Sequence, residues 1–368
     1  MTTLERLDPA DSPPSGTTDG TGATTSGDAM NRVLAQRALG WSRDQVEPAL
    51  RAAVGKLPLA TQRITNYHFG WEDEDGTPTR ADGGKALRPA LALLASQAVG
   101  GTTAAAVPAA VAVELVHNFS LLHDDVMDCD TTRRHRATAW TVFGLGPAIL
   151  AGDALLSLAF DVLVSSGEPA ADDGAKVLGQ AVQELVEGQL ADAHFEIRND
   201  VTLSECLRMA QLKTGALLGC STALGAMFGG GRSEQVDHLR LFGEDLGLAY
   251  QYVDDLLGIW GDPRVTGKPV HSDLRRRKKS LPVIAALTSG TAAGQELAAL
   301  YQGSRDLTDA ELVRAAGLID EAGAKAQSQA QADALLTAAL GELRSASGAV
   351  GAADDLERLA RWATRRDR

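Results

Sequence analysis

Cysteine is scarce. Cys129, Cys206 and Cys220 are odd in number and far apart, with no CxxC pair and no histidine at a zinc-site spacing. That excludes a disulfide framework and fits ordinary buried thiols in a reducing compartment. Aromatic residues make up 4% of the chain, and no segment alternates apolar and polar residues between paired turn residues, so nothing calls for a hairpin. Long apolar runs are missing as well. Stretches such as Ala109 to Val116 are cut by charge, well short of the roughly eighteen residues a bilayer span needs, so no transmembrane helix is expected. Glu5, Arg6 and Asp8 stand where a secretory signal would carry a basic patch and an apolar run, so the expected location is cytoplasmic. Positive charge is in deficit: a net charge of −13 gives no global attraction to nucleic acid or to an anionic membrane surface. An anionic ligand must be held by local cations or by metal.

What is present is helix-forming sequence. Residues 1–29 are rich in Thr, Gly, Ser, Pro and Asp and cannot bury enough surface to offset ordering entropy, which predicts a disordered tail. From Met30 onward Ala, Leu, Glu, Gln and Arg dominate, and apolar residues such as Leu115, Phe119 and Leu122 recur at a three-to-four residue step. Breaks fall near Gly83-Gly84, Gly100-Gly101, Gly229-Gly230-Gly231 and Gly261-Asp262-Pro263, leaving segments the size of long bundle helices. The expected fold is all-α: one large single-domain helical bundle over residues 30–368.

Two acidic clusters stand out. Asp124, Asp125 and Asp128 close an apolar stretch, and on a helix Asp124 and Asp128 share a face, where like charges repel and need a compensating cation. Mg²⁺ suits that need, because it takes carboxylate oxygens together with substrate phosphates. Asp254-Asp255 ends a second apolar stretch farther along. Either cluster alone reads as a solvated acidic helix end; facing each other across a bundle, they could hold metal ions and a diphosphate. Cations accompany them. Lys85 and Arg88 lie one turn apart after Gly83-Gly84, Arg133-Arg134 follow Asp128, and Lys213-Thr214, Lys268 and the run Arg275-Arg276-Arg277-Lys278-Lys279 add more. A planar guanidinium fork beside a point-charge ammonium suits a diphosphate, although each basic group by itself also reads as solvated surface.

In order and spacing, Gly84-Lys85…Arg88-Pro89, Asp124-Asp125-x-x-Asp128 with Arg133-Arg134, Lys213-Thr214, Gln251-x-x-Asp254-Asp255 and Gly267-Lys268…Asp273…Lys278 resemble the trans-isoprenyl diphosphate synthase family. The resemblance implies a helical bundle, usually a homodimer, with a central cavity between the aspartate motifs. It implies that Asp124, Asp128 and Asp254 ligate Mg²⁺, three ions with substrate bound, while Asp125 and Asp255 act through water. Arg133, Lys213, Thr214, Gln251 and Lys268 would hold an allylic diphosphate, and Lys85, Arg88, His117 and Arg134 isopentenyl diphosphate, with Lys278 helping to close the site. His117 alone would read as a core histidine. The implied reaction ionises the allylic carbon–oxygen bond, lets the isopentenyl double bond attack the cation, and returns a proton to released pyrophosphate.

Phe119, five residues before Asp124 with Ser120 beside it, points to a limited pocket depth and resembles geranylgeranyl diphosphate synthases, with farnesyl diphosphate as the next product; simple core packing of Phe119 is the alternative. The second motif departs from the family pattern, since Gly258 stands where a third aspartate is usual, and His135-Arg136-Ala137-Thr138 replaces a frequent Gly-Lys-Pro-Thr. Gly258 keeps open a terpene cyclase on the same fold, and a non-catalytic or packaged partner subunit is the third reading. The tail over residues 1–29 resembles those of prenyltransferases carried inside encapsulin shells, which would put the protein in a nanocompartment.

Overall fold

The computed structural model describes residues 21–81, 84–263, 269–303, 305–346 and 350–365, with side chains from residue 29 onward and excepting residue 350. Helix α1 (Thr21–Val54) and α2 (Leu59–Phe69) lead to α3 (Leu87–Ala98) and the long α4 (Thr103–Met127). A two-stranded hairpin, β1 (Thr132–Arg133) and β2 (Arg136–Ala137), precedes α5 (Ala139–Phe143), α6 (Leu145–Val164), α7 (Ala171–Ile197) and α8 (Leu203–Ala210). A π-helical turn, Gln211–Gly215, joins α8 to α9 (Ala216–Phe228), and α10 (Ser233–Trp260) follows. The chain ends with α11 (Ser272–Arg275), α12 (Leu281–Leu287), α13 (Ala292–Tyr301), α14 (Asp309–Glu321), α15 (Ala324–Ala346) and α16 (Val350–Thr364). The all-helical expectation holds.

The starts and stops follow local chemistry. Thr102 accepts a hydrogen bond from the Ala105 amide at the head of α4, Thr202 and Glu205 form a capping box at α8, and Thr308 and Glu311 form another at α14. Each satisfies amides that a helix leaves unpaired at its start. Helix α1 begins at Thr21, inside the segment expected to be tail, because a helix nucleated by the sequence after Met30 extends backward at little cost. Residues 1–20, which carry most of the shell-packaging expectation, lie outside the described residues.

Helix α4 is the centre of the main core. Ala106, Ala109 to Val113, Leu115, Val116, Phe119 and Leu122 are buried against α6, α7 and α9, and a second core joins α1, α3, α10, α15 and α16. Two sequence expectations need correction, the missing hairpin and the buried Cys129. Helices α4 and α6 are long and apolar enough to cross a membrane by length and composition alone, a test that a core helix also passes. Most of the apolar window of α4 (67%) is buried inside the bundle, whereas only 39% of that of α6 is. A hairpin does exist: Thr132 pairs with Ala137 and Arg133 with Arg136, around Arg134 and His135 at φ of 51° and 61°. That is a two-residue reversal too short to leave an alternating pattern. Cys129 is exposed, and only Cys206 and Cys220 are buried.

Candidate active site

Helix α4 delivers Asp124 and Asp125 in its last turn and Asp128 at its C-cap. The partner elements are placed by close packing. A side chain at Gly188 of α7 would put its Cβ 2.5 Å from the Lys213 amide nitrogen, so α7 can approach the π-turn only with glycine there. The π-turn adds a residue to the helical path, a distortion frequent at functional sites, and turns Lys213 inward. One turn beyond Gly188, Asp192 accepts a hydrogen bond from Lys213 Nζ at 2.7 Å, and Lys213 Nζ stands 4.0 Å from Asp124.

On the opposite side, Thr214 Oγ1 donates to Gln251 Oε1 at 2.7 Å and Gln251 Nε2 donates to Asp255 Oδ1 at 2.8 Å. Asp255 Oδ2 accepts the Leu281 amide at 2.9 Å, at the head of α12, and Lys278 Nζ lies 3.8 Å from Asp255. Burial works to lower the Lys278 ammonium, but Asp255, Asp273, Asp192 and Asp254 outweigh it and raise its pKa. Lys213 behaves likewise, raised by Asp124 and Asp192 against its burial. Arg276 bonds Asp130 and also feels Asp128 and Asp273. The two acidic clusters are therefore joined by an alternating series, Asp124, Lys213, Asp192, Lys278 and Asp255, that runs from α4 to α10.

Burial works against the charged form of these carboxylates. Burial raises Asp124 and Asp128, and raises Asp125 to about 6 although Arg133 Nε donates to its Oδ1 at 2.6 Å. Here desolvation exceeds the effect of the ion pair, since Asp125 Oδ2 is buried with no hydrogen-bond partner. Burial likewise raises Asp255 to about 6. Among the described residues no three His, Cys, Asp or Glu side chains close around one point. Mg²⁺ takes few protein carboxylates and completes its shell with water and phosphate oxygens, and the buried, unpartnered Asp125 Oδ2 beside Asp124 is an acceptor of that kind. Asp255, engaged by Gln251, Lys278 and Leu281, orients its neighbours.

Farther back along α4 the sign of the site reverses. Arg88 is enclosed, its pKa pushed down to about 10 by burial and supported by Glu114. Glu114 is itself raised by burial against the pull of Arg88, and Asn118 Nδ2 donates to its Oε1 at 3.0 Å. His117 is driven well below its usual pKa, first by burial and then by Arg88 and Arg134. His68 of α2 falls to about 3, through burial and then Arg134 and Arg133. A small cavity next to these groups is lined by Tyr67, His68, Asp125, Arg133, Arg134 and Arg136.

Not every predicted residue joins this cluster. Lys85 is exposed, with Nζ 5.6 Å from the Trp362 ring centroid on α16. Lys268 lies outside the described residues. Phe119 is buried, packed edge-on against His123 with ring centroids 4.8 Å apart, and Ser120 Oγ donates to the His117 carbonyl. Sequence reasoning missed Asp192, His68, Glu114 and Asn118. Each is a single polar residue in an otherwise ordinary helical stretch, and the only signal available was a lone charge or amide on a face otherwise destined for the core.

Residues 77–318 match the polyprenyl synthetase family model. A (2E,6E)-farnesyl diphosphate synthase of Mycobacterium tuberculosis is 46% identical over 297 residues, covering 80% of this chain and 83% of that one. A geranylgeranyl diphosphate synthase of the same organism is 45% identical over 320 residues, covering 86% and 90%. Among solved structures, a polyprenyl synthetase from Streptomyces coelicolor superposes with a TM-score of 0.85 at 45% identity, covering 89% of this chain and 98% of that one.

Proposed function

The chain belongs to the polyprenyl synthetase family and is a trans-prenyl diphosphate synthase, a prenyltransferase; from that premise we propose that it condenses an allylic diphosphate with isopentenyl diphosphate, in the presence of Mg²⁺, to give geranylgeranyl diphosphate, with farnesyl diphosphate as the shorter alternative. The observation that carries the reading is the alternating series from Asp124 through Lys213, Asp192 and Lys278 to Asp255.

Asp124, Asp128 and Asp254 would hold the metal. Bound Mg²⁺ supplies electrophilic stabilisation of the leaving diphosphate. Lys213 and Lys278, already charged and fixed between carboxylates, meet the negative charge that develops as the allylic carbon–oxygen bond breaks, without reorganising. Arg133, held by Asp125, and the Thr214–Gln251 pair orient the allylic diphosphate. Arg88 and Arg134 would take the isopentenyl diphosphate. His117, kept neutral among arginines, offers a hydrogen bond without adding charge. Phe119, one turn and a fraction below Asp124, bounds the room for the growing chain, which supports the twenty-carbon product. A homodimer fits the exposed apolar residues Leu150 of α6 (67% exposed) and Leu190 and Ile197 of α7 (58% and 83%).

The test is to supply purified protein with Mg²⁺, isopentenyl diphosphate and each allylic diphosphate in turn, then size the products. Twenty-carbon product supports the reading and fifteen-carbon product selects the alternative. Hydrocarbon or alcohol from a single prenyl diphosphate would overturn it in favour of a cyclase.

A further inference from the structure

Helix α1 and the last two helices, α15 and α16, enclose a groove of about 990 Å³, the size of a pocket for a small organic molecule. None of the residues placed in the candidate active site lines it. The helices around it are tied together. Asn31 Nδ2 of α1 donates to the Arg358 carbonyl of α16 at 3.3 Å, and Gln235 Nε2 of α10 donates to the Ala346 carbonyl at the end of α15 at 3.0 Å.

The groove joins two kinds of chemistry. Leu336 and Leu340 of α15, each 5% exposed, and Trp362 of α16 form an apolar floor on the second core. The rim is basic: Arg32 comes from α1, Arg344 from α15, and Arg361 and Arg365 from the end of α16. Asp333 is the one carboxylate among the described lining residues. Arg361 is paired with Glu357 at 2.7 Å, whereas Arg344 is exposed and no ion pair or hydrogen bond holds its guanidinium among the described residues. Helix polarity explains part of this charge, since Arg344 and Arg361 stand in the last turns of α15 and α16. It does not explain Arg32, nor why arginines from three helices converge on one groove in a chain of net charge −13. The guanidinium fork matches phosphate oxygens in pairs.

We propose that this groove is a second binding site for a long-chain prenyl diphosphate, its head among the four arginines and its hydrocarbon along Leu336, Leu340 and Trp362. The inference rests on the family of the chain and not on the assignment of the metal site. A bare phosphate would leave the apolar floor unused, and a wholly apolar ligand would leave charged groups facing hydrocarbon. Because the floor is recessed, a hydrocarbon chain must enter the groove, which a single molecule in solution can do and a flat bilayer surface cannot. A prenyl diphosphate synthase releases molecules of this class itself.

The experiment titrates geranylgeranyl diphosphate into the full chain with EDTA present, reading bound ligand per chain by equilibrium dialysis and tryptophan fluorescence in parallel. Arg344→Glu changes an exposed residue remote from the catalytic groups, so initial rates of chain elongation should match those of the parent. The same variant should weaken one equivalent of geranylgeranyl diphosphate binding about tenfold to a hundredfold, the loss of one charged contact. Arg344→Lys, which keeps the charge without the fork, should fall between the two. Trp362→Phe should diminish the fluorescence change while the dialysis still counts the ligand. Inorganic pyrophosphate should compete for this equivalent at least about a hundredfold more weakly, because it buries none of the floor. Equal binding by the parent and Arg344→Glu, an undiminished fluorescence change in Trp362→Phe, or equal competition by pyrophosphate overturns the proposal. Capture of the protein by phosphatidylglycerol vesicles, with no second equivalent of the soluble ligand, overturns it in favour of a membrane surface.

Discussion

Between the C-terminal end of α4 and α10, the carboxylates of Asp124, Asp128, Asp192, Asp254 and Asp255 surround Lys213, Lys278 and Arg276. Two turns back along α4, the balance is the opposite: Arg88, Arg134 and two neutral histidines surround Glu114. Burial works against the charge in both regions, raising the carboxyls of Asp125 and Asp255 in one and lowering Arg88 and both histidines in the other. Each half thus carries unfavourable desolvation that a ligand of the right sign relieves. On the reading proposed above, the ligand of both halves is a diphosphate. The acidic half would accept it only with divalent cations, whereas the basic half would accept it directly. One fold would then bind the same chemical group in two ways, with only the group in the acidic half placed to leave. Arg133 stands at the junction, bonded to Asp125 while it depresses His68.

The largest effect should come from the acidic half. Asp124→Ala is expected to lower kcat by about 10²–10³-fold, the loss typical when a charge-stabilising group leaves a preorganised site. The KM for isopentenyl diphosphate should stay near that of the parent. Initial rates over a Mg²⁺ series measure both, and an equal rise in that KM would show that the halves are not separate. In the basic half, Arg88→Ala would strand the buried Glu114, at a cost of about 3–5 kcal/mol, so the informative variant is Arg88→Ala with Glu114→Gln. It should raise the KM for isopentenyl diphosphate roughly tenfold to a hundredfold and leave the Mg²⁺ requirement unmoved. A shifted Mg²⁺ requirement would break the contrast from the other side.

Acid should separate the halves more gently. His68 is held at about 3 in the folded chain against an ordinary value of 6.5. Between those values the unfolded chain binds a proton that the native chain does not, so the stability contribution is complete above pH 6.5 and is lost as pH falls. The slope from this one group is at most about 1.4 kcal/mol per pH unit. Urea unfolding midpoints of the parent and of His68→Gln, compared from pH 7 down to 5, should show a shallower decline in the variant. Parallel curves would mean that His68 is not the neutral buried group described.

How much of this could be read beforehand depended on whether chemistry was concentrated in the chain. Asp124-Asp125-x-x-Asp128 and Asp254-Asp255 were visible because paired carboxylates at the end of an apolar stretch are costly in a helix. The helical bundle was visible because Leu115, Phe119 and Leu122 repeat at the helical step. Asp192 was not, since its role depends on α7 approaching the π-turn at Gly188, a tertiary contact with no local signature. The Arg134–His135 reversal was hidden for a related reason: non-glycine residues at positive φ are held there by their surroundings, and two-residue strands leave no alternation. Gly258 departs from the family pattern on sequence alone, and the crowding of its Cβ position by the Asp273 carboxylate shows only in the folded chain.

Phe119 lies between the two halves, five residues before Asp124 on the same helix, which places it about 7.5 Å down the axis from the first aspartate. It belongs to neither charge system: its ring packs into the main core and meets His123 edge-on. Removing it should therefore change what the site makes more than how fast it works. Phe119→Ala is expected to lengthen the product by at least one isoprene unit, with kcat altered by less than about threefold, because no group facing a diphosphate changes. The same substitution opens a core cavity at a cost of about 3–5 kcal/mol, so Phe119→Leu, which keeps most of the volume, should give a mixture of the parent product and the longer one. Chromatographic sizing after short incubation reads both. If folded Phe119→Ala yields the parent's chain length, the ring is core packing alone and the limit on product length lies elsewhere in the bundle.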